Sequence, residues 1–265
     1  MRNLVRAGAH VPTVNCVPID EQDLATRIVD AHTRGVLLPA PADHGLDGPA
    51  AYRVQTAVVA ARRTTRRVGW KLGYTSEAMR RQMGIDEPNI GPLHDEMMLA
   101  NGAQLAAGAV QPRVEPEIAA VIGSTVRHAG ELAEAVVGWY AALEVVDSVW
   151  EDYRFDWALN TADGSSGAFV VLGDRVADGG SRDLAGLPVT LFVDDEEVET
   201  GNGAAAMGDP GLALTWLIGQ LALRGDRLQP GDVVITGGLT RAVPLPPGSS
   251  VHAAIGSGTA RISRV

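Results

Sequence analysis

The chain has 265 residues, 46% apolar and 20% charged, which is enough for one large domain or two small ones and excludes a disordered polymer. Its formal charge of -10 argues against non-specific nucleic-acid binding, which depends on neutralising phosphates. No apolar run reaches the ~20 residues of a membrane helix, and a single cysteine, Cys16, excludes an internal disulfide or a thiolate metal cage.

Residues 1–18 show no clear periodicity and no continuous apolar segment of the secretory type, and read as an arm. Asp20-Glu21-Gln22-Asp23 then opens an amphipathic helix carrying Leu24, Ile28 and Val29 and stopped by Gly35. After a Pro/Gly/Asp loop, Ala50 to Arg63 reads as a second helix, ending in the cluster Arg62, Arg63, Arg66 and Arg67, whose plain reading is a solvated helix end. From Val68 the pattern changes. Val68–Gly73 reads as a strand, and Thr75-Ser76-Glu77 as the capped start of a short helix. Strands are expected at Val114–Ile122, Ala142–Val149, Phe169–Leu172, Val189–Val193 and Val233–Thr236, with helices around Glu131–Tyr140 and Gly211–Arg224. This order predicts an α+β class, divided into a helical region over 1–66 and a catalytic domain over 67–265.

Of 22 basic residues only Lys71 is a lysine. A GC-rich gene explains the arginines. Either the exception is a chance survivor of that bias, or it sits where proton exchange or a compact ammonium is required, which Arg cannot supply. In Arg113-Val114-Glu115-Pro116-Glu117-Ile118, the two acids sit two apart on one strand face. Either they face solvent on an edge strand, which Pro116 allows, or they share a cation or a proton. Glu144 lies inside the apolar run Ala142–Val146, where an acid needs a partner. Three converging carboxylates suit Mg²⁺ or Mn²⁺. His94, beside Asp95, reads as a surface or pocket-rim residue, and Trp150 and Trp157 as core or interface. Ser165-Ser166 lacks the strand-elbow-helix context of a nucleophile.

These segments together resemble the 2-keto-4-pentenoate hydratase family of the fumarylacetoacetate-hydrolase superfamily. The resemblance runs in order through Gly69-Trp70-Lys71-Leu72-Gly73-Tyr74-Thr75-Ser76, Met83–Gly91, Gln111–Ala119, Ala142–Ser148, Ala162–Ser166 and Leu228–Gly237. It implies a helical N-terminal part followed by a mixed β-sandwich or roll. It implies Mg²⁺ or Mn²⁺ at Glu115, Glu117 and Glu144, with Lys71, Asn89 and Ser166 around the substrate. The implied protein is a cytoplasmic homo-oligomer. The implied activity is hydration of a 2-hydroxy-2,4-dienoate to a 4-hydroxy-2-oxo acid, a hydro-lyase reaction of aromatic-compound catabolism. Three positions depart from the family: Asn89 replaces its usual Asp, Gly164 its Asn, and Val149 an Arg. They keep open a decarboxylase of a vinylogous 2-oxo diacid, a carbon–carbon hydrolase of an acylpyruvate, and a non-catalytic ligand-binding scaffold.

Overall fold

A computed structural model describes residues 19–265 except 78, 79, 82, 83, 107, 181 and 182. The expected arm therefore lies outside the described residues. So does part of the short helix expected after Thr75.

Helix α1 (Glu21–Arg34) starts where Asp20 accepts the Asp23 N–H and stops at Gly35, whose φ of 62° is the left-handed C-terminal turn. Helix α2 (Gly48–Arg62) is capped by Asp47 accepting the Ala50 N–H. The two helices share an apolar cluster with Val149, Trp150, Leu159 and Ala162. The arginine cluster at the end of α2 is not uniformly solvated. Arg63 pairs with Glu96 at 3.6 Å, while Arg67 pairs with Asp226 at 3.4 Å and stacks over Trp70 at 4.3 Å. Of the four, only Arg66 is exposed.

The body is two sheets. The larger one runs β2 (Asn89–His94), β1 (Arg67–Gly73), β10 (Val233–Ile235), β5 (Arg113–Ile122), β6 (Val136–Val146), β7 (Gly167–Asp178) and β3 (Met98–Leu99), with β11 (Val243–Pro244) also on β5. The smaller runs β4 (Ala103–Leu105), β13 (Gly258–Arg264), β12 (Ser250–Ile255), β8 (Pro188–Val193) and β9 (Glu196–Asn202). Parallel pairs β1–β10, β3–β7 and β4–β13 sit among antiparallel ones, so both sheets are mixed. The main core includes side chains of both sheets together with Ala213, Leu214, Leu217 and Leu221 of a helix, Pro210–Leu223. The α+β class with a helical N-terminal part is what the structure has.

One expected helix is a strand. A 3₁₀ turn, Ala129–Glu131, and one α-helical turn, Leu132–Ala135, are all that is helical there, and from Val136 the chain enters β6, pairing with β5 and β7 along both edges. The β-branched and aromatic residues Val136, Val137, Trp139 and Tyr140 prefer that extended setting, and the two ladders outweigh the helical spacing seen upstream. β6 also ends early, at Val146. There Asp147 turns its carboxylate onto the N–H groups of Val110 and Gln111.

Pro116 does not mark an edge. β5 is interior, and Pro116 lies in a gap: β11 pairs with Arg113 and Val114, and β10 with Ala119 to Val121. No ladder N–H is needed there, and the gap admits the loop between β10 and β11.

Candidate active site

That gap is where the acids collect. Strand register sets Glu115 opposite Glu144 across β5 and β6. Directly opposed like charges repel, and Glu117 joins from the same face of β5. One carboxylate oxygen from each lies within 4.8 Å of the others. Glu117 and Glu144 are 0% and 1% exposed, so the solvated-edge reading is excluded. Glu117 Oε2 accepts the Gly237 N–H at 2.6 Å, while its Oε1 has no hydrogen-bond partner. A buried carboxylate oxygen without a donor, beside two further carboxylates, fits a hard divalent cation with oxygen ligands.

The electrostatics agree. Burial, then the Glu144 carboxylate, push Glu115 up to about 7 from an ordinary 4.5. Burial and both neighbouring acids hold Glu117 well above its ordinary value. Burial raises Glu144 too, and the Lys71 ammonium partly offsets it. Protons therefore compete with a cation. For one group near 7, affinity rises about tenfold between pH 6 and pH 8. Titration calorimetry with Mg²⁺ at the two pH values is expected to show at least that gain.

Lys71, on β1, is 3% exposed. Its Nζ lies 3.0 Å from Glu144 Oε1 and donates to the Ser165 carbonyl at 2.6 Å. Its stem has room because Gly91 and Gly167 flank it: a Cβ on either would sit 3.1 Å from Cγ or 3.0 Å from Cδ. Gly238 makes the corresponding space at Glu115, since a Cβ there would meet Oε2 at 2.5 Å. Gly238→Ala is expected to displace that carboxylate and weaken Mg²⁺ at least tenfold, with a change in metal-free stability of under ~1 kcal/mol; calorimetry with a thermal melt reads both.

The turn Gly164–Ser166 supplies the opposite wall. Its three residues have φ of 70°, 57° and 56°, costly for the two serines. Asp163 holds it in place. Its Oδ1 is 2.6 Å from His32 Nε2 of α1, and its Oδ2 accepts from Ser148 Oγ and the Val149 N–H. Val149 itself is core, where a charged side chain would lack water.

Lys71, Glu115, Glu144, Ser165 and Ser166 line one cavity of about 570 Å³, with Asn160, Tyr74, Arg113, Tyr153, Glu199 and Arg241 among the other wall residues. Glu117 sits behind Glu115 and Glu144. Asn89 is not on the wall. It is 0% exposed, with its amide donating to Asn160 Oδ1 and Thr161 Oγ1 and accepting from Ser165 Oγ. Asn160 in turn donates to Ser166 Oγ at 2.8 Å. Asn89 thus fixes the two serines from behind and has no free face for a water. His94 is also away from the cavity: it is the last residue of β2, and its Nδ1 lies 2.8 Å from the Thr65 carbonyl. Trp150 is core, hydrogen-bonded to the Leu159 carbonyl.

The sequence reading missed Arg113, Tyr74, Tyr153, Asn160, Glu199 and Arg241 as wall residues. Arg113 had a signal, being two positions before Glu115 on the same strand face. Glu199 had none, because it arrives from β9 of the other sheet.

The fumarylacetoacetate (FAA) hydrolase C-terminal family matches residues 61–264, a span that holds every one of these wall residues. The chain belongs to that family. Within the fumarylacetoacetate hydrolase family it is similar to a 2-keto-4-pentenoate hydratase of Burkholderia vietnamiensis, 36% identical over 82% of this chain and 86% of that one. It is also similar to a 4-oxalocrotonate decarboxylase of a Pseudomonas species, 33% identical over 69% of this chain and 72% of the relative. Among solved structures, the 4-oxalocrotonate decarboxylase of Pseudomonas putida G7, complexed with magnesium and adipate, superposes with a TM-score of 0.85 at 29% identity, covering 92% of this chain and 97% of that one. The family's fold and this chain's two mixed sheets agree. Among the described residues no helix is long and apolar enough to cross a membrane.

Proposed function

We propose that this protein is a divalent-cation-dependent hydro-lyase that adds water to a 2-hydroxy-2,4-dienoate and yields a 4-hydroxy-2-oxo acid. The observation that carries the reading is the orphaned Glu117 Oε1 within a three-carboxylate cluster that faces the chain's one lysine. Glu115, Glu117 and Glu144 would hold Mg²⁺ or Mn²⁺. A cation there supplies Lewis acidity toward the enol form of a 2-oxo acid.

The remaining work falls to side chains of the cavity. Lys71 Nζ holds a proton between Glu144 and the Ser165 carbonyl, from where it can be passed to the far carbon of the dienol. Ser166 Oγ accepts from Asn160, so its own hydrogen is free to donate to a substrate oxygen. Ser165 Oγ donates to Asn89, so its lone pairs remain to orient a water for attack at carbon 4. Burial of the cluster keeps bulk water off the enol. The hydratase relative at 36% identity supports this reading.

Asn89 favours a second reading. Asn cannot take a proton from water, and Glu199, the other acid named on the cavity wall, is paired with Arg241. Decarboxylation of a vinylogous 2-oxo diacid needs the same electron sink and no water-activating base. One assay separates the two. The protein with Mg²⁺ is given 2-hydroxypenta-2,4-dienoate and, separately, 2-oxohex-3-enedioate. Loss of dienol absorbance without carbon dioxide supports hydration, carbon dioxide release from the diacid supports decarboxylation, and turnover of neither overturns both.

A further inference from the structure

Helix α1 lies outside the family match, which begins at residue 61. Its buried residues Leu24, Ala25, Ile28 and Ala31 are all apolar, and they seat it in one cluster with Val54 and Val58 of α2, Val149 and Trp150. That packing requires no buried polar group. His32 supplies one all the same. It stands in the last turn of α1 with its side chain 7% exposed, and its Nε2 lies 2.6 Å from Oδ1 of Asp163, 131 positions further along the chain.

The Asp163 side chain is 0% exposed. Its Oδ2 has two donors, Ser148 Oγ and the Val149 N–H. Its Oδ1 has His32 as its one donor among the described residues. A buried carboxylate oxygen left without a donor is costly, so loss of His32 drives Asp163 toward water or another partner. Asp163 is also where the turn carrying the two serines begins. Its carbonyl accepts the Ser166 N–H at 3.3 Å, a long bond. Gly164, Ser165 and Ser166 all stand at positive φ, a conformation that persists where its surroundings over-determine it. The turn then delivers three groups to the site. The Ser165 carbonyl receives Lys71 Nζ at 2.6 Å, Ser165 Oγ donates to Asn89 Oδ1 at 2.8 Å, and Ser166 Oγ accepts from Asn160 at 2.8 Å. A displacement of Asp163 reaches the ammonium and both hydroxyls together.

We infer that His32 is a positioning residue of the active site: its Nε2–H, donated to Asp163, sets the Gly164–Ser166 turn and through it Lys71 Nζ and the two serine hydroxyls. The helical N-terminal part is thereby a working component of the site as well as its cover. The kinetic consequence rests on the functional reading above. Donation is what is asked of the ring, since the Nε2–H tautomer and the imidazolium both supply it. A glutamine carries an amide N–H at nearly the same reach, whereas a leucine fills the space and offers none.

The test compares His32→Leu, His32→Gln and Leu24→Ala with the native chain. Leu24 belongs to the same apolar cluster, ~12 Å away along α1, so its truncation loosens the helix and leaves the bond to Asp163 in place. The first readout needs no substrate. It is hydrogen exchange at the Ser166 and Gly167 amides, which close the turn on the Asp163 and Gly164 carbonyls. His32→Leu is expected to speed that exchange at least ~10-fold, and more than Leu24→Ala does, while His32→Gln stays near the native rate. The second readout is turnover with Mg²⁺ at one temperature well below every thermal midpoint. His32→Leu is expected to lose at least ~10-fold in kcat, the scale of a displaced reacting group. Its Mg²⁺ affinity should be unchanged, because Glu115, Glu117 and Glu144 stand on β5 and β6 and not on the turn. His32→Gln should return kcat to near the native value, and Leu24→Ala should keep it despite a lower midpoint. If His32→Leu does not fold, His32→Asn takes its place, with an amide one methylene too short to reach Asp163. Exchange in His32→Leu no faster than in Leu24→Ala overturns the inference. So does a His32→Gln chain as impaired as His32→Leu, or a kcat that simply follows the thermal midpoint across the variants. A native chain that turns over no substrate overturns the functional reading instead, and the exchange rates still decide whether His32 holds the turn.

Discussion

Replacing Glu117 with Gln is expected to raise the thermal midpoint of the metal-free protein and to remove the further rise that Mg²⁺ gives. Three carboxylates converge here in a buried setting, and one Glu117 oxygen has no donor. Gln keeps an oxygen for the Gly237 N–H and places an amide N–H where the orphaned oxygen was, so repulsion toward Glu115 and Glu144 becomes donation. Relief of an unsatisfied buried acceptor is worth ~1–3 kcal/mol, and a chain of this size gains roughly 2–4 °C per kcal/mol. The gain depends on pH, with a fixed sign. Glu117 in the fold holds its proton to a higher pH than in the unfolded chain. The native fold is therefore penalised as pH climbs above the ordinary 4.5, and the penalty is complete once pH exceeds the raised value. The advantage of Gln should grow from pH 5 to pH 9. A midpoint that falls on substitution, or an undiminished response to Mg²⁺, would remove the carboxylate cluster as a cation site.

Lys71→Met is expected to be the most damaging single change. Glu144 is buried, and the Lys71 ammonium is the cation beside it. Removing one partner of a buried pair costs ~3–5 kcal/mol, because the other charge is stranded; a midpoint drop of roughly 10 °C follows. Mg²⁺ should restore more of the midpoint in this variant than in the native chain, since it supplies positive charge to the same carboxylate. Turnover should not return with it. A positioned proton donor contributes ~10²–10⁴-fold, and that factor is lost whatever the stability. Lys71→Arg separates the two roles. It keeps the charge but releases no proton at any accessible pH, and its fork must fit between Gly91 and Gly167. Near-native turnover in Lys71→Arg would leave the lysine an electrostatic role alone.

The parts legible in the sequence were those set by short-range periodicity. Glu115 and Glu117 share a face because strands alternate, and Lys71 stood out because it is the chain's only lysine. The apolar run around Glu144 gave away a buried acid. What could not be read was register. Nothing local sets Glu144 opposite Glu115 and not two residues away, and that offset decides whether three acids meet. Residues 136–140 were misread for a related reason, since their strand state comes from partners on β5 and β7. Nothing in the sequence signalled the depth of Asn89. It is sealed behind Ser165 and Asn160 by hydrogen bonds spanning more than 70 sequence positions, which no local pattern encodes. Glu199 reaches the cavity only because the second sheet packs there.

The most direct test of the central claim is a crystal soaked in Mn²⁺ and measured for anomalous scattering. The account predicts one strong peak bounded by oxygens of Glu115, Glu117 and Glu144, in contact with the orphaned Glu117 oxygen. A featureless map at that point in a crystal soaked at saturating Mn²⁺, or a peak held by other residues, would contradict it.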